Sequence, residues 1–287
     1  MIVHEATRFQ YMKWDEKFAR EKPYQIISGL SKSSPISNTN INFEQSASEE
    51  KVTDIRECPE AYSLDVNGFN VHTICSDFTE WTNRARVETE FIPNIVEPLL
   101  REQVGERSRI VVFDWHLRRN VRHDRGKGVD TNDSTQPLPV AKVVHIDQPP
   151  AEVVRRVQRH LGDEADQLLQ GRVRMINFWK PLYRPVQDAP LAICDASTVQ
   201  SDDLVAIDNV RRTWSGETVF VLPSPRYKWY YISEQRPDEV LIFKTFDSKY
   251  ECTARACPHA SFTPSRRARD AKPRESIEFR AFIFSDV

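Results

Sequence analysis

From Val173 onward the chain is a succession of short apolar runs separated by turn residues, and this pattern limits the fold more than any other feature. The runs cover 173–179, 191–194, 218–222, 228–232, 240–246 and 277–284. Most are bounded by Pro, Gly, Asp or Ser, as strands of a compact β structure are. In the last run Ile277, Phe279, Ala281 and Ile283 alternate with Glu278, Arg280 and Phe282, the period of a half-buried strand. Two earlier apolar runs, 108–113 and 140–146, also read as strands. Only 150–169 has a strong helical period, with Val154, Val157, Leu161, Ala165 and Leu168 on one stripe and Gly171 placed to close it. A second helical stretch, 83–100, contains Pro93 and Pro98, which are expected to break or kink it. Many short strands with one good helix predict a mainly β chain with flanking helices, a sandwich or jelly roll. No Gly-rich phosphate-binding motif occurs among the eight glycines, so a nucleotide-binding βαβ fold is disfavoured.

The first 50 residues differ from the rest. Scattered aromatics precede a Ser-, Asn- and Glu-rich stretch at 31–50, which reads as a surface excursion. The expected organisation is therefore an extension, 1–50, packed on or covering a single domain, 51–287. Forty basic and 42 acidic residues leave a net charge of −2, so no global field draws the chain to nucleic acid or a membrane surface. The cluster Arg118, Arg119, Arg122 and Arg125 falls at a polar loop, 119–139, whose length suits a lid or binding loop. Five cysteines form neither a paired framework nor a zinc spacing and are expected as reduced thiols. No apolar run is long enough to span a bilayer, and Met1 to Arg20 has no apolar signal core. The expectation is a cytoplasmic protein, monomer or homodimer, whose partner is a small molecule.

The chemistry starts at Val143-Val144-His145-Ile146-Asp147, an apolar strand ending in His-x-Asp. Residues i and i+2 of a strand share a face, so an imidazole and a carboxylate converge there. A third ligand from a distant strand would complete a facial triad with adjacent open positions, the arrangement of non-haem iron(II) oxygenases. His259 lies far downstream, before the last strand. Arg274 and Ser276 then open that strand on one face. An arginine fork with a serine beside it suits the carboxylate of a dicarboxylic co-substrate. Arg280 is the rival for that carboxylate.

The blocks along the chain resemble the fungal and bacterial secondary-metabolite oxygenases typified by gibberellin desaturase, the fungal hydroxylase/desaturases and the cephem 7α-hydroxylase/methoxylase component. The likeness begins near Asp54. It runs through Ser63-Leu64-Asp65-Val66-Asn67-Gly68-Phe69, Phe113-Asp114-Trp115-His116, Val144-His145-Ile146-Asp147-Gln148 and Ile176-Asn177-Phe178-Trp179-Lys180-Pro181, then Pro258-His259 and Pro273-Arg274-Glu275-Ser276. The resemblance implies a double-stranded β-helix of the jelly-roll, cupin-like kind that uses Fe(II), 2-oxoglutarate and O2. It implies His145, Asp147 and His259 as iron ligands, and Arg274 with Ser276 on the co-substrate. Asn177 is placed with the co-substrate, and Trp179 in the pocket wall. The chain departs from the family at Trp115-His116 and at Ala260-Ser261-Phe262. Trp115 and His116 are therefore the expected substrate contacts. Hydroxylation, desaturation and oxidative ring closure are all outcomes of this chemistry. Two competing readings are a cupin-like metal hydrolase or isomerase that does not use 2-oxoglutarate, and a non-catalytic metal- or small-molecule-binding protein.

Overall fold

The structure, a computed structural model, describes residues 4–27, 39–120, 133–211, 215–265 and 267–285. In chain order its strands are β1 (His4–Met12), β2 (Tyr24–Ile27), β3 (Thr39–Ile41), β4 (Gln45–Asp54), β5 (Phe69–Thr73), β6 (Arg109–Arg119), β7 (Leu138–Pro139) and β8 (His145–Ile146). Then follow β9 (Arg172–Pro181), β10 (Leu191–Cys194), β11 (Leu204–Val210), β12 (Ser215–Val221), β13 (Trp229–Tyr231), β14 (Glu239–Asp247), β15 (His259–Ser261) and β16 (Glu275–Ser285). They form a ten-stranded sheet, β1-β4-β13-β10-β15-β8-β12-β11-β2-β3, and a six-stranded sheet, β5-β14-β9-β16-β6-β7. The two curled sheets make the double-stranded β-helix expected from the sequence.

The central strand β16 pairs antiparallel with both β9 and β6. It is buried on both faces, whereas the alternating pattern predicts one solvated face. The reason is that helices cover the outside. Ile277, Phe279, Ala281 and Ile283 pack against Trp81, Phe91, Val96 and Leu100 of the helical stretch, and Phe91 stacks on Phe279 at 5.6 Å. The inward side chains begin polar, with Ser276, Glu278 and Arg280. They end apolar, with Phe282 and Phe284 against Val153 and Val157.

The helical stretch runs through both prolines: α1 (Arg84–Arg86), a π-helical Val87–Val96, and α2 (Glu97–Val104). Pro98 sits in the first turn of α2, where no intrahelical N–H is needed. Pro93 lies inside the π-helical segment, whose wider turn takes up the missing donor. The strong helix is shorter than its pattern. α3 spans Pro150–Leu161 and stops at Gly162, which has a φ of 52°, and α4 resumes at Ala165–Leu168. Val153 and Val157 face the core, while Val154 is exposed.

The apolar run 140–146 is not one strand. β7 belongs to the smaller sheet and β8 to the larger, so residues 140–144 cross between sheets. Val140 and Val144 anchor that crossing in the interior, with the Val144 N–H donating to Gln10 O at 2.8 Å, while Lys142 between them is exposed. Before residue 55, β1 and β4 pair along their length and add to the larger sheet through β13. Strand β4 looks loop-like in sequence because most of its side chains are polar and at least partly exposed.

Gly68 fixes the approach to the second histidine. Its φ is 86°, and a Cβ there would meet Cys257 Sγ at 2.6 Å and Ala196 Cβ at 2.9 Å. Its carbonyl accepts from Lys244 N–H, and the Lys244 carbonyl accepts from Cys257 N–H, each at 2.8 Å. Gly68→Ala is expected to cost on the order of 1–3 kcal/mol of stability, the range for a non-glycine residue held at positive φ. Thermal denaturation checks this; an unchanged midpoint would show that the turn yields freely.

Candidate metal centre

His145 and His259 face each other directly across the β8–β15 ladder. Their rings lie 4.3 Å apart. Each ring is fixed from behind by its own strand. His145 Nδ1 lies 2.8 Å from Val143 O, and His259 Nδ1 lies 3.1 Å from Cys257 O. A carbonyl oxygen only accepts, so in both rings Nδ1 carries a proton and Nε2 is the nitrogen left to face a metal. Phe243 packs on the His259 ring at 4.8 Å. Asp147, two residues after His145, completes the group. Ligand atoms of His145, Asp147 and His259 all lie within 4.8 Å of one another.

Electrostatics favour a cation here. Burial first, then the neighbouring His259, pushes the pKa of His145 down to about 4, so it is neutral at physiological pH. Burial opposes ionisation of Asp147, but Arg280, His259 and His145 outweigh it and hold its pKa well below the usual carboxylate range. Two imidazoles and one carboxylate form the donor set of a non-haem iron(II) facial triad. The residues present therefore fit that ion.

A small cavity opens beside the triad. It is lined by Arg118, Ala141, His145, Trp179, Leu191, His259, Ser261, Arg274 and Glu278. Arg274 is buried, and its Nη1 donates to Ala189 O at 2.6 Å and to Ser261 Oγ at 2.8 Å. Its guanidinium lies 5.3 Å from the Trp179 ring. Among the described residues its hydrogen bonds go to neutral oxygens, and its Nε has no partner. Burial, followed by repulsion from Arg118, lowers its pKa to about 9. Ser276 is buried with its hydroxyl unpaired among the described residues, and it does not line the cavity. Ser261 does. It lies two residues after His259 on the same strand, a spacing that the sequence offered.

Arg280 is engaged elsewhere. Its Nε and Nη2 donate to Asp147 at 3.1 and 3.2 Å, and its Nη1 donates to Asp114 at 2.9 Å. Asn177 Nδ2 also donates to Asp147, at 2.7 Å. Trp179 lines the cavity. His116 lies on the inward face of β6, with Nε2 3.3 Å from Asp114. Trp115 points the other way, into the helix-covered core with Leu117 and Phe279, and its Nε1 donates to Glu88 at 3.4 Å. Alternation along β6 makes this unavoidable: Trp115 and His116 are neighbours on a strand and cannot share a face. Of the loop 119–139, residues 121–132 lie outside the described residues.

A jelly roll with two facing histidines, an adjacent aspartate and a buried arginine beside them defines a non-haem iron(II), 2-oxoglutarate-type oxygenase. Comparison with known proteins agrees. A family described as "Oxidoreductase/YMDC permease-like domain" matches residues 9–284. The chain is 31% identical to the Fe(II)/2-oxoglutarate-dependent dioxygenase nvfI of Aspergillus novofumigatus, over 86% of each chain. It is 32% identical to the hydroxylase/desaturase efuI of Hormonema carpetanum, over 81% of this chain and 82% of that one. A 39% match to aspirochlorine biosynthesis protein N of Aspergillus oryzae covers 48% of this chain and 58% of that protein. A solved structure of the iron and alpha-ketoglutarate-dependent endoperoxidase NvfI superposes with a TM-score of 0.84 at 26% identity, covering 99% of this chain and 98% of that one. The chain belongs to the Fe(II)/2-oxoglutarate-dependent dioxygenase family. No helix among the described residues is long and apolar enough to cross a membrane.

His145→Ala, Asp147→Ala and His259→Ala are each expected to weaken iron binding by more than the ~10–100-fold typical of changes just outside a metal's ligand shell. Far-ultraviolet circular dichroism should stay native, and metal content after equilibrium dialysis is the readout. A variant that keeps normal iron content removes that residue from the centre.

Proposed function

We propose that this chain oxidises an unactivated C–H bond of a small molecule of secondary metabolism, consuming O2 and 2-oxoglutarate and releasing succinate and carbon dioxide. The observation that carries this reading is the convergence of His145, Asp147 and His259 beside Arg274, a buried cation whose hydrogen bonds among the described residues go to neutral oxygens. A buried charge ordinarily has an opposite charge or a dense set of hydrogen bonds. Among the described residues the Arg274 Nε has no partner, and the side chain lines a cavity, which suits an incoming carboxylate.

His145, Asp147 and His259 hold the iron. Bound Fe(II) supplies dioxygen activation coupled to oxidative decarboxylation of 2-oxoglutarate. Arg274 receives the far carboxylate of the co-substrate, with the Ser261 hydroxyl beside it. Ser276 follows Arg274 by two residues, on β16, and Asn177 serves the site through its bond to Asp147. Trp179 and Leu191 form an apolar wall that excludes water from the reacting centre. His116 faces the interior and is the better substrate contact of its pair, while Trp115 belongs to the helix-covered core. The substrate class and the choice among hydroxylation, desaturation and ring closure depend on which carbon is held nearest the iron. A cupin-like hydrolase or isomerase would have no use for Arg274, and a non-catalytic descendant would be expected to lack a ligand. The near-neutral charge and ordinary composition support a cytoplasmic enzyme acting on a small molecule.

Two outcomes test this. Arg274→Ala is expected to weaken 2-oxoglutarate binding by on the order of 2–4 kcal/mol, as for truncating a buried charged pair, with iron content unchanged. Arg274→Lys should recover only part, since a point charge does not reproduce the fork. Succinate production against co-substrate concentration measures both, and Arg280→Ala giving that phenotype in place of Arg274→Ala would move the anchor. In a second measurement, Trp179→Phe and His116→Ala should change the ratio of oxidised product to succinate, whereas Trp115→Phe should alter the melting temperature and leave that ratio alone. Equal coupling in all three would place the substrate elsewhere.

A further inference from the structure

Arg280 lies on β16 opposite Asn177 of β9 and Asp114 of β6. Its guanidinium and Asn177 treat the two oxygens of Asp147 unequally. Oδ2 accepts from Arg280 Nε at 3.1 Å and from Asn177 Nδ2 at 2.7 Å. Among the described residues Oδ1 accepts only from Arg280 Nη2, at 3.2 Å, and it lies 4.0 Å from His145 Nε2. A carboxylate oxygen offers about two acceptor sites in its plane. Oδ2 is therefore filled, and Oδ1 keeps one site on the side of the histidines.

From this asymmetry we infer that Arg280 is a positioning residue which, with Asn177, restricts Asp147 to one metal-facing oxygen. The inference rests on the iron-site reading above. A carboxylate free to turn would engage the metal with both oxygens and take up a position that the co-substrate and dioxygen need, whereas a facial triad works by leaving those positions open. The restraint extends outward. Arg280 Nη1 is anchored on Asp114 at 2.9 Å, and Asp114 is held in turn by His116 at 3.3 Å. Contact with both Asp147 oxygens together with a third bond to Asp114 requires the planar, multi-donor guanidinium; an ammonium supplies the charge without that geometry.

The test uses Co(II) in place of iron, without oxygen, so that the ligand arrangement is read from visible absorption rather than from turnover. Arg280→Lys keeps the charge and removes the fork. It is expected to bind Co(II) stoichiometrically with visible bands altered in position and intensity, and to lose ~10–100-fold in 2-oxoglutarate affinity, the usual scale for such positioning groups. Asn177→Ala, which frees Oδ2 without touching any charge, should shift the bands in the same sense. Wild-type bands and wild-type co-substrate affinity in Arg280→Lys would overturn the inference, because charge alone would then suffice. Loss of Co(II) affinity together with melting temperature, with unchanged bands in the loaded fraction, would also overturn it by reducing Arg280 to packing. If Arg280→Lys does not fold, Asn177→Ala decides: altered bands support the inference, and wild-type bands overturn it. A wild-type protein that binds no metal overturns the iron-site reading itself, whereas normal wild-type binding with unaltered variants overturns this inference alone.

Discussion

Burying charge is the constraint around which this interior is arranged. Asp114 and Glu278 project inward from β6 and β16, Asp147 does so just after β8, and Arg280 reaches all three. Arg118 approaches Glu278 at 3.5 Å, and Arg274 stands beside them in the same cavity. Three carboxylates and three guanidiniums leave this inner ring neutral. A divalent ion adds two positive charges, and the 2-oxoglutarate dianion removes them. On the proposed function, the ring is therefore balanced both before loading and after it. Such a group of ions is costly to desolvate, and loss of one member leaves a buried charge without compensation. Its geometry consequently matters more than its contribution to stability.

The strands deliver that geometry through register. The pairing of β16 with β6 sets Ser276 opposite Arg118, Glu278 opposite His116 and Arg280 opposite Asp114. The pairing with β9 brings Asn177 to the other side of Arg280 and Trp179 beside Glu278. The register between β16 and β6 shifts after Arg280, where the inward face turns from polar to apolar under α3. The larger sheet contributes the two histidines from adjacent short strands. Each histidine is held by a carbonyl two residues before it, so the strand that supplies the ligand also sets its tautomer.

Much of this was legible in the sequence, and what was not has identifiable physical causes. His145, Asp147 and His259 stood out because strand spacing and order along the chain restrict where a facial triad can come from. The apolar runs that became β9, β10, β14 and β16 were visible for the same reason. Strand β4 was not, because most of its side chains reach solvent to some degree and look like those of a loop. The run 140–146 looked like one strand because burial at a crossing between sheets demands the same residues as a ladder does. Trp115 was grouped with His116 by adjacency, although neighbours on a strand face opposite ways. Asp114, Glu278 and Ser261 were passed over although each stands two residues from a site residue on its own strand, His116, Arg280 and His259 respectively. Asn177 was placed with the co-substrate, and its one side-chain hydrogen bond among the described residues goes to Asp147.

Everything in the site turns on one relation, that a metal held by His145, Asp147 and His259 and a co-substrate held by Arg274 meet in the same cavity. The most direct measurement is visible absorption of the protein loaded with iron(II) in the absence of oxygen, before and after 2-oxoglutarate is added. Chelation of the metal by the co-substrate is expected to produce a weak metal-to-ligand charge-transfer band that saturates at one equivalent per chain. Stoichiometric iron with no such band at saturating 2-oxoglutarate would contradict the shared site.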